Sequence, residues 1–313
     1  MAYTIISALL PMLATLMLGF LAGWHQYFDG KQAAILNRMV MLYALPLSLF
    51  AGMMATPRDE ILARGSLALA ILLAMVVPYA VAILVARYLF RRDLMSASLQ
   101  ALAIAGPAVP FVGVSVLGKL FGEESAIPIS VSSLAMNLIQ VPVTLMLLSA
   151  GTKRNRLPGG RSPTLTTSIV HALREPVVWA PVLALVLVLF GVQAIPPVQD
   201  SLLLLGKATG GVALFASGIV LYSRSVTISL PTGISVLARN IFVPAVTWII
   251  LLMVGFDHER TREVVLTMAI PTVSLCVILA VQYQTAEQEM ASTLFFSTLL
   301  SIVTMGAFIW LTA

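Results

Sequence analysis

Ten long apolar runs divide the chain, and each is about as long as a helix must be to cross a lipid bilayer. Charged or Pro- and Gly-rich connectors separate the runs, and no run contains Asp or Glu. The chain is 59% hydrophobic and 10% charged, whereas a soluble domain is about half apolar and about a quarter charged. This pattern predicts an all-α polytopic membrane protein with ten transmembrane helices. The runs are residues 5–23, 33–55, 66–86, 95–117, 126–149, 177–194, 201–222, 241–255, 264–281 and 291–312.

The longest polar connector, residues 151–175, carries five basic residues. Because cytoplasmic loops are enriched in Lys and Arg, we expect this connector to be a basic cytoplasmic linker. Alternating the runs outward from it places eleven basic residues, Arg239 among them, on the cytoplasmic side and five on the opposite side. The prediction is a multi-pass protein of the inner plasma membrane, with both termini outside, on the periplasmic side.

Five runs precede this linker and five follow it, so the two halves of the chain enter the membrane in opposite directions. Short sequence motifs recur in corresponding runs: residues 11–14 resemble 181–184, and residues 48–52 resemble 213–217. Internal symmetry of this kind is typical of transporters. We therefore predict two inverted five-helix repeats, residues 1–150 and 176–313, joined by the linker 151–175.

The fourth and ninth runs are interrupted at corresponding places, Gly106-Pro107-Ala108-Val109-Pro110 and Ala269-Ile270-Pro271-Thr272. Each proline removes a backbone donor and breaks the helix. A break at bilayer depth is tolerated only where protein or a wet cavity surrounds it. Where each helix resumes, free N–H groups and a positive dipole end favour a carboxylate. The sequence predicts that broken helices 4 and 9 cross at a midplane site.

Polar residues at membrane depth supply the other candidates. Lys207 is flanked by small residues, which favours a side chain facing a cavity, although its long stem could also snorkel to the interface. Asn137 and Gln140 share a polar stripe, which could instead serve hydrogen bonding between helices. Arg38 is close enough to the cytoplasmic side to snorkel or meet a lipid phosphate. The predicted substrate-binding residues are Lys207, Pro107, Pro110, Phe111, Asn137, Gln140, Pro271, Thr272 and Ser274, and the predicted supporting residues are Asn37, Arg38 and Ser133.

Signatures of other protein classes are missing from the sequence. It contains no zinc-protease, serine-hydrolase or phosphate-loop motif, so we expect a protein that is not an enzyme. One cysteine and three connector histidines offer no metal cluster, and we expect neither cofactor nor nucleic-acid partner. Without an acid in any run, a uniporter, or a substrate that carries its own proton, fits better than sodium or proton coupling.

The whole chain resembles the auxin efflux carrier family of permeases, which includes malonate-transporter-like proteins. The resemblance rests on residues 6–23 with Pro11 and Gly19, residues 44–46, the broken fourth run, residues 175–181, residues 268–283 and residues 297–300. It implies crossing broken helices, an elevator-like motion of a transport domain against a scaffold, small organic anions as substrates and a homodimer formed through the scaffold. Family members often have Asn at the fourth-helix crossing, and this chain has none at residues 106–110.

These features predict a permease that moves a small organic anion, such as a malonate- or auxin-like mono- or dicarboxylate, across the plasma membrane by elevator-type alternating access. Its expected partners are this anion and the lipid bilayer. Two alternatives remain: a sodium-coupled symporter of a bile-acid-like anion, and a membrane sensor that binds a ligand without moving it.

Overall fold

The computed structural model describes residues 2–54, 65–109, 113–156, 176–192, 195–224 and 227–313. All regular secondary structure in these ranges is helical, apart from one isolated β-bridge. The helices are α1 Ala2–Trp24, α2 Gly30–Met54, α3 Gly65–Leu89, α4 Leu94–Ala105, α5 Val114–Phe121, α6 126–156, α7 Pro176–Leu189, α8 Pro196–Gly206, α9 Ala208–Arg224, α10 Leu230–Val254, α11 His258–Met268, α12 Leu275–Gln282 and α13 Glu287–Leu311.

Six stretches of the described helices are long and apolar enough to cross a membrane. They are Gly30–Met54, Gly65–Leu89, Ile127–Thr152, Pro196–Ser223, Leu230–Val254 and Glu287–Leu311. Shorter apolar helices cover Leu13–Trp24, Leu94–Ala105 and Pro176–Leu189. The prediction of an all-helical chain with many apolar helices is confirmed. Most of the linker predicted at 151–175 lies outside the described residues, and α6 extends to Arg156.

Short polar side chains fix where several helices begin. Asp93 precedes α4 and accepts the backbone N–H of Ser96, while Asp257 precedes α11 and accepts that of Arg260. Ser229 caps α10 in the same way. Such caps satisfy the free N–H groups of the first helical turn, and each contributes about 1 kcal/mol.

The prolines and glycines of the fourth and ninth runs break the helices, as predicted. Helix α4 ends at Ala105 and α5 begins at Val114, while α11 ends at Met268 and α12 begins at Leu275. Four longer helices also contain a π-helical turn, at Val40–Ala44, Val85–Leu89, Met136–Gln140 and Ala238–Phe242. Single π-turns are frequent at functional sites, and the last two carry Gln140 and Arg239.

Helix contacts divide the described helices into two groups. In the first group, α1 packs along α9, and α2 packs against α7, α8 and α9. In the second group, α3 packs against α4 and α6, α10 against α11, and α13 against α10 and α12. The groups meet where α12 touches α2, α6 touches α7, and α13 touches α1 and α9. The two helix breaks belong to the second group.

Helices α1 and α9 approach so closely that glycine is required at the contact. A Cβ on Gly218 of α9 would overlap the carbonyl oxygen of Leu16 and lie 2.7 Å from the backbone nitrogen of Phe20. A Cβ on Gly19 of α1 would overlap the carbonyl oxygen of Phe215. Small residues let membrane helices pack with their backbones in contact.

The predicted start of the eighth run, at residue 241, was wrong. Helix α10 begins at Leu230, so Arg239 lies inside the helix and is 0% exposed rather than on a cytoplasmic connector. The ninth run also starts earlier than predicted, since α11 begins at His258 and includes the buried Glu263. In both cases charged residues were taken for connectors, although the folded chain buries them.

Candidate functional site

The two helix breaks pair with each other through their backbones. The N–H of Ala108 donates to the carbonyl of Pro271 at 2.9 Å, and the N–H of Val273 donates to the carbonyl of Gly106 at 3.0 Å. Pro107 and Thr272 face each other in the resulting antiparallel bridge. The two breaks therefore lie against each other, and their residues 106–109 and 269–274 are buried. We call this contact the crossing.

Breaking a helix leaves carbonyl groups without their usual donors four residues later. Pro107 has no N–H for the carbonyl of Ala103, and the hydroxyl of Thr272 donates to that oxygen instead, at 2.6 Å. Val109 is the usual partner of the Ala105 carbonyl, to which the side-chain amide of Gln140 donates at 3.2 Å. The same Gln140 nitrogen donates to the carbonyl of Met75 at 3.0 Å. Side chains thus replace the missing turn of α4.

Arg239 donates hydrogen bonds to further carbonyl groups at the carboxyl ends of both broken helices. Its Nη1 donates to Ile104 of α4 at 3.1 Å, because the N–H of Ala108 is paired with Pro271. Its Nη2 donates to Met268 at the end of α11, at 2.9 Å. Nε and Nη2 both donate to the carbonyl of Ile270, at 2.9 Å and 2.7 Å. One guanidinium therefore holds the carboxyl ends of α4 and α11 together.

A second polar relay supports the crossing from α13. The N–H of Thr272 donates to the hydroxyl of Ser297 at 3.1 Å, and Ser297 donates to Oδ1 of Asn240 at 2.6 Å. Nδ2 of Asn240 returns a bond to the carbonyl of Ser297 at 2.8 Å. All three residues are buried. In a continuous helix the N–H of Thr272 would donate to the carbonyl of Met268. Here it donates to Ser297 instead, which leaves the Met268 carbonyl for Arg239.

The amino ends of α5 and α12 begin directly after the two breaks. Ser274 occupies the N-cap position of α12, but its side chain makes no capping bond. Gly113 occupies the same position of α5, where a Cβ would lie 2.9 Å from Cγ1 of Val109. Cys276, in the first turn of α12, is fully buried with its Sγ 3.0 Å from the carbonyl of Val273. Each amino end carries a positive partial charge of about half a unit.

Several buried polar atoms have no hydrogen-bond partner among the described residues. Oδ1 of Asn137, Oε1 of Gln140, and both side-chain polar atoms of Asn37 are in this state. Asn137 and Asn37 are only 4% and 1% exposed. A buried polar group without a partner is costly, so these atoms are candidates to bind a ligand. Asn37 lies on α2, which contacts α12, whereas Asn137 lies in the same π-turn as Gln140.

The predicted residues do not all lie at the crossing. The structure brings Pro107, Pro271, Thr272 and Gln140 together at the crossing, with Ser274 at the start of α12. Lys207 is exposed at the junction of α8 and α9, in the other helix group, and Arg38 is also exposed. Ser133 bonds the carbonyl of its own helix at Ile129. Pro110 and Phe111 lie outside the described residues.

The sequence analysis did not identify Arg239, Asn240 or Ser297 as residues of the site. One signal could have found the first two: Ser229 followed by Pro231 is a helix-start pattern, which moves the eighth span forward and places both residues in its middle. Their partners could not have been found, since Arg239 contacts residues 31 and 135 positions away. The described residues contain no His, Cys, Asp and Glu group suited to a metal ion.

A comparison with known families covers almost the whole chain. Residues 4–309 match the profile of the family described as membrane transport protein. The chain belongs to this family of transporters. The resemblance to auxin efflux carriers is thereby confirmed, and the family's role in transport agrees with a protein that is not an enzyme.

Relatives from distant organisms cover the same length. The chain is 29% identical over 308 residues to "Uncharacterized transporter YfdV" of Escherichia coli K12, covering 97% of this chain and 96% of the relative. It is 23% identical over 304 residues to "Putative malonate transporter" of Rhizobium meliloti strain 1021, covering 96% and 94%. It is 22% identical over 306 residues to "Uncharacterized transporter" of Methanothermobacter thermautotrophicus, covering 95% and 94%. Together with its apolar helices, these matches make the chain a multi-pass membrane transporter.

Proposed function

We propose that the protein is a secondary transporter that moves a small organic anion across the plasma membrane, with the crossing of the broken helices as its substrate site. The observation that carries this proposal is the arrangement of helix ends. The carbonyl ends of α4 and α11 are covered by Arg239, Gln140 and Thr272, while the amino ends of α5 and α12 carry no side-chain cap. The site thus presents positive potential to a ligand.

A carboxylate matches this potential better than a neutral or cationic ligand. Two helix amino ends contribute roughly one positive charge together. Among the described residues, Nδ2 of Asn37 is a buried donor that still needs a partner and could bind a carboxylate oxygen, while Oδ1 of Asn137 could accept a substrate hydroxyl. Lys207 is proposed to add a second cation from the facing helix group. Malonate-like and auxin-like acids are the substrates we favour, and the malonate name of one distant relative supports the first.

The two helix groups suggest how access alternates. We propose ten transmembrane helices in two inverted repeats, in which α3–α6 and α10–α13 move as a transport domain that carries the crossing. Helices α1, α2 and α7–α9 would then form a static scaffold, the surface through which a homodimer would assemble. The contact of α12 with α2 lies on the sliding interface in this scheme. Both termini would face the outside.

The deciding test is charge movement in proteoliposomes after rapid addition of mono- and dicarboxylates, including malonate and indole-3-acetate. We expect sustained current with one anion and no ion gradient. Pro271→Ala, which restores a donor and relaxes the break, should abolish this current, and Lys207→Ala should weaken it strongly. Lys31→Ala is the matched control, because Lys31 is an exposed lysine outside the site and its loss should have no effect.

Three outcomes would contradict the proposal in different ways. Current that requires sodium would favour the bile-acid-like symporter. Anion binding without current, in protein shown to be folded, would favour the sensor. Wild-type current in both Pro271→Ala and Lys207→Ala would refute the site assignment while leaving transport intact.

A further inference from the structure

Arg239 is an unusual buried cation, because its counter-charges are backbone carbonyls. It is 0% exposed, and its four hydrogen bonds go to the carbonyl oxygens of Ile104, Met268 and Ile270. A buried charge without compensation costs several kcal/mol. Here the compensation comes from two helix carboxyl ends, each with about half a negative charge. Together they balance the single charge of the guanidinium.

Carbonyl groups at broken helices of transporters commonly bind a cation. In secondary transporters, unwound carbonyls and half-helix carboxyl ends coordinate the sodium ion or proton that drives transport. In this chain the same class of carbonyl is already occupied by a side chain. An arginine suits the position better than a lysine, because its planar fork reaches three carbonyls on two helices at fixed angles.

We propose that Arg239 is the resident cation of the crossing, a positioning residue that takes the place of a coupling cation. This inference rests on the proposed function, whose coupling it specifies. The covalently attached charge stays in the site throughout the cycle, so the anion binds and moves without a co-transported inorganic cation. The two amino ends then remain uncompensated, and the substrate should cross with about one net negative charge.

Three substitutions separate charge from hydrogen bonding. Arg239→Gln keeps two N–H donors and removes the charge, Arg239→Lys keeps the charge and loses the fork, and Arg239→Ala leaves space for a small cation. The readouts are KM and maximal current for the anion, measured with sodium, with a large organic cation in its place, and with added guanidinium.

We expect wild-type current to be the same with and without sodium. Arg239→Gln should raise KM by about tenfold or more, because the positive potential near the anion falls in a medium of low dielectric constant. Arg239→Ala should be inactive alone and should regain current when guanidinium is added. Gln140→Ala is the matched control: it removes the donor to Ala105 at the carboxyl end of α4 without a change of charge, so guanidinium should not restore it.

A second readout does not depend on transport. Guanidinium at low concentration should raise the unfolding temperature of purified Arg239→Ala and should not raise that of the wild type or of Gln140→Ala. This measurement separates the role of Arg239 from the proposed anion transport, since the temperature should rise even if no tested anion produces a current. If Arg239→Ala does not fold, Arg239→Gln and Arg239→Lys carry the test through their KM values.

Three results would overturn the inference. One is a wild-type KM in Arg239→Gln with no response to any cation, which would show that the charge has no role. Another is a folded Arg239→Ala variant in which added guanidinium changes neither the current nor the unfolding temperature. A wild-type current that requires sodium would overturn it as well, because the carbonyl ends would then not be the cation site.

Discussion

Replacing Gly218 with alanine should separate helices α1 and α9. The new Cβ would overlap the Leu16 carbonyl oxygen and lie 2.7 Å from the Phe20 nitrogen, whereas an ordinary contact begins at 3.4 Å. The helices must therefore move apart by at least about 0.7 Å, and a gap of this size loses a quarter to a half of the dispersion energy of each contact. Because the opposing atoms are backbone, no rotamer change can relieve the overlap.

The size of the effect follows from two opposing terms. Overpacking costs about 1–3 kcal/mol, and a rigid backbone contact belongs at the upper end. Alanine offsets about 1 kcal/mol of this through its better helix propensity. Gly218→Ala should therefore lower the free energy of unfolding by about 2 kcal/mol. Gly211→Ala on the same helix meets no atom within 4 Å, so it should raise this free energy by about 1 kcal/mol.

The assay compares the unfolding temperatures of the two variants in detergent. At about 2 °C per kcal/mol for a large domain, they should differ by about 6 °C, with the wild type between them. The comparison uses one helix and one chemical change, so propensity cancels. If Gly218→Ala unfolds at or above the temperature of Gly211→Ala, the backbone contact between α1 and α9 does not exist as described.

Two further predictions concern the polar groups of the second helix group. Gln140→Leu leaves the carbonyls of Met75 and Ala105 without their side-chain donor, so the free energy of unfolding should fall by about 1–3 kcal/mol, and an unchanged unfolding temperature would contradict this. Asp93→Ala removes the cap of α4 and should cost about 1 kcal/mol at neutral pH. Burial raises the pKa of Asp93, but hydrogen bonds from Ser96 and the charge of Arg92 outweigh it and leave this pKa below its ordinary value. The cap therefore stabilises the protein above the ordinary pKa and is lost as the pH falls through the folded value, so the difference in unfolding temperature between wild type and Asp93→Ala should shrink in acid.

The apolar helices, apart from the starts of α10 and α11, and the two breaks could be predicted because each depends on local chemistry. A run of apolar residues has to be buried or in lipid, and the closely spaced Pro and Gly residues at 106–110, like Pro271, weaken a helix locally. A single proline is not decisive, since helices continue through Pro11, Pro78 and Pro181. The crossing itself could be predicted only as a consequence of the paired breaks. Its central bond, from Ala108 to Pro271, joins residues from opposite halves of the chain.

The residues that stabilise the crossing could not be predicted, because their partners are remote in sequence. Arg239 looked like a connector residue, since a charge inside a span is normally too costly. Only the carbonyls freed by breaks in two other helices make its burial possible. Lys207 was predicted about one and a half turns into its span. Helix α8 begins at Pro196, so it lies deeper, at a junction that small neighbouring residues did not reveal.

Cys276 gives the crossing a reporter of its own. It is the chain's single cysteine, and it lies fully buried in the first helical turn after the break. A thiol reagent can therefore modify the unaltered protein only when α12 parts from its neighbours. The rate of alkylation would measure how often this happens, and its change on adding a carboxylate would detect occupancy without a radiolabel or an electrode. Cysteines introduced at exposed positions could be labelled selectively for the same reason, with no need to remove the native one.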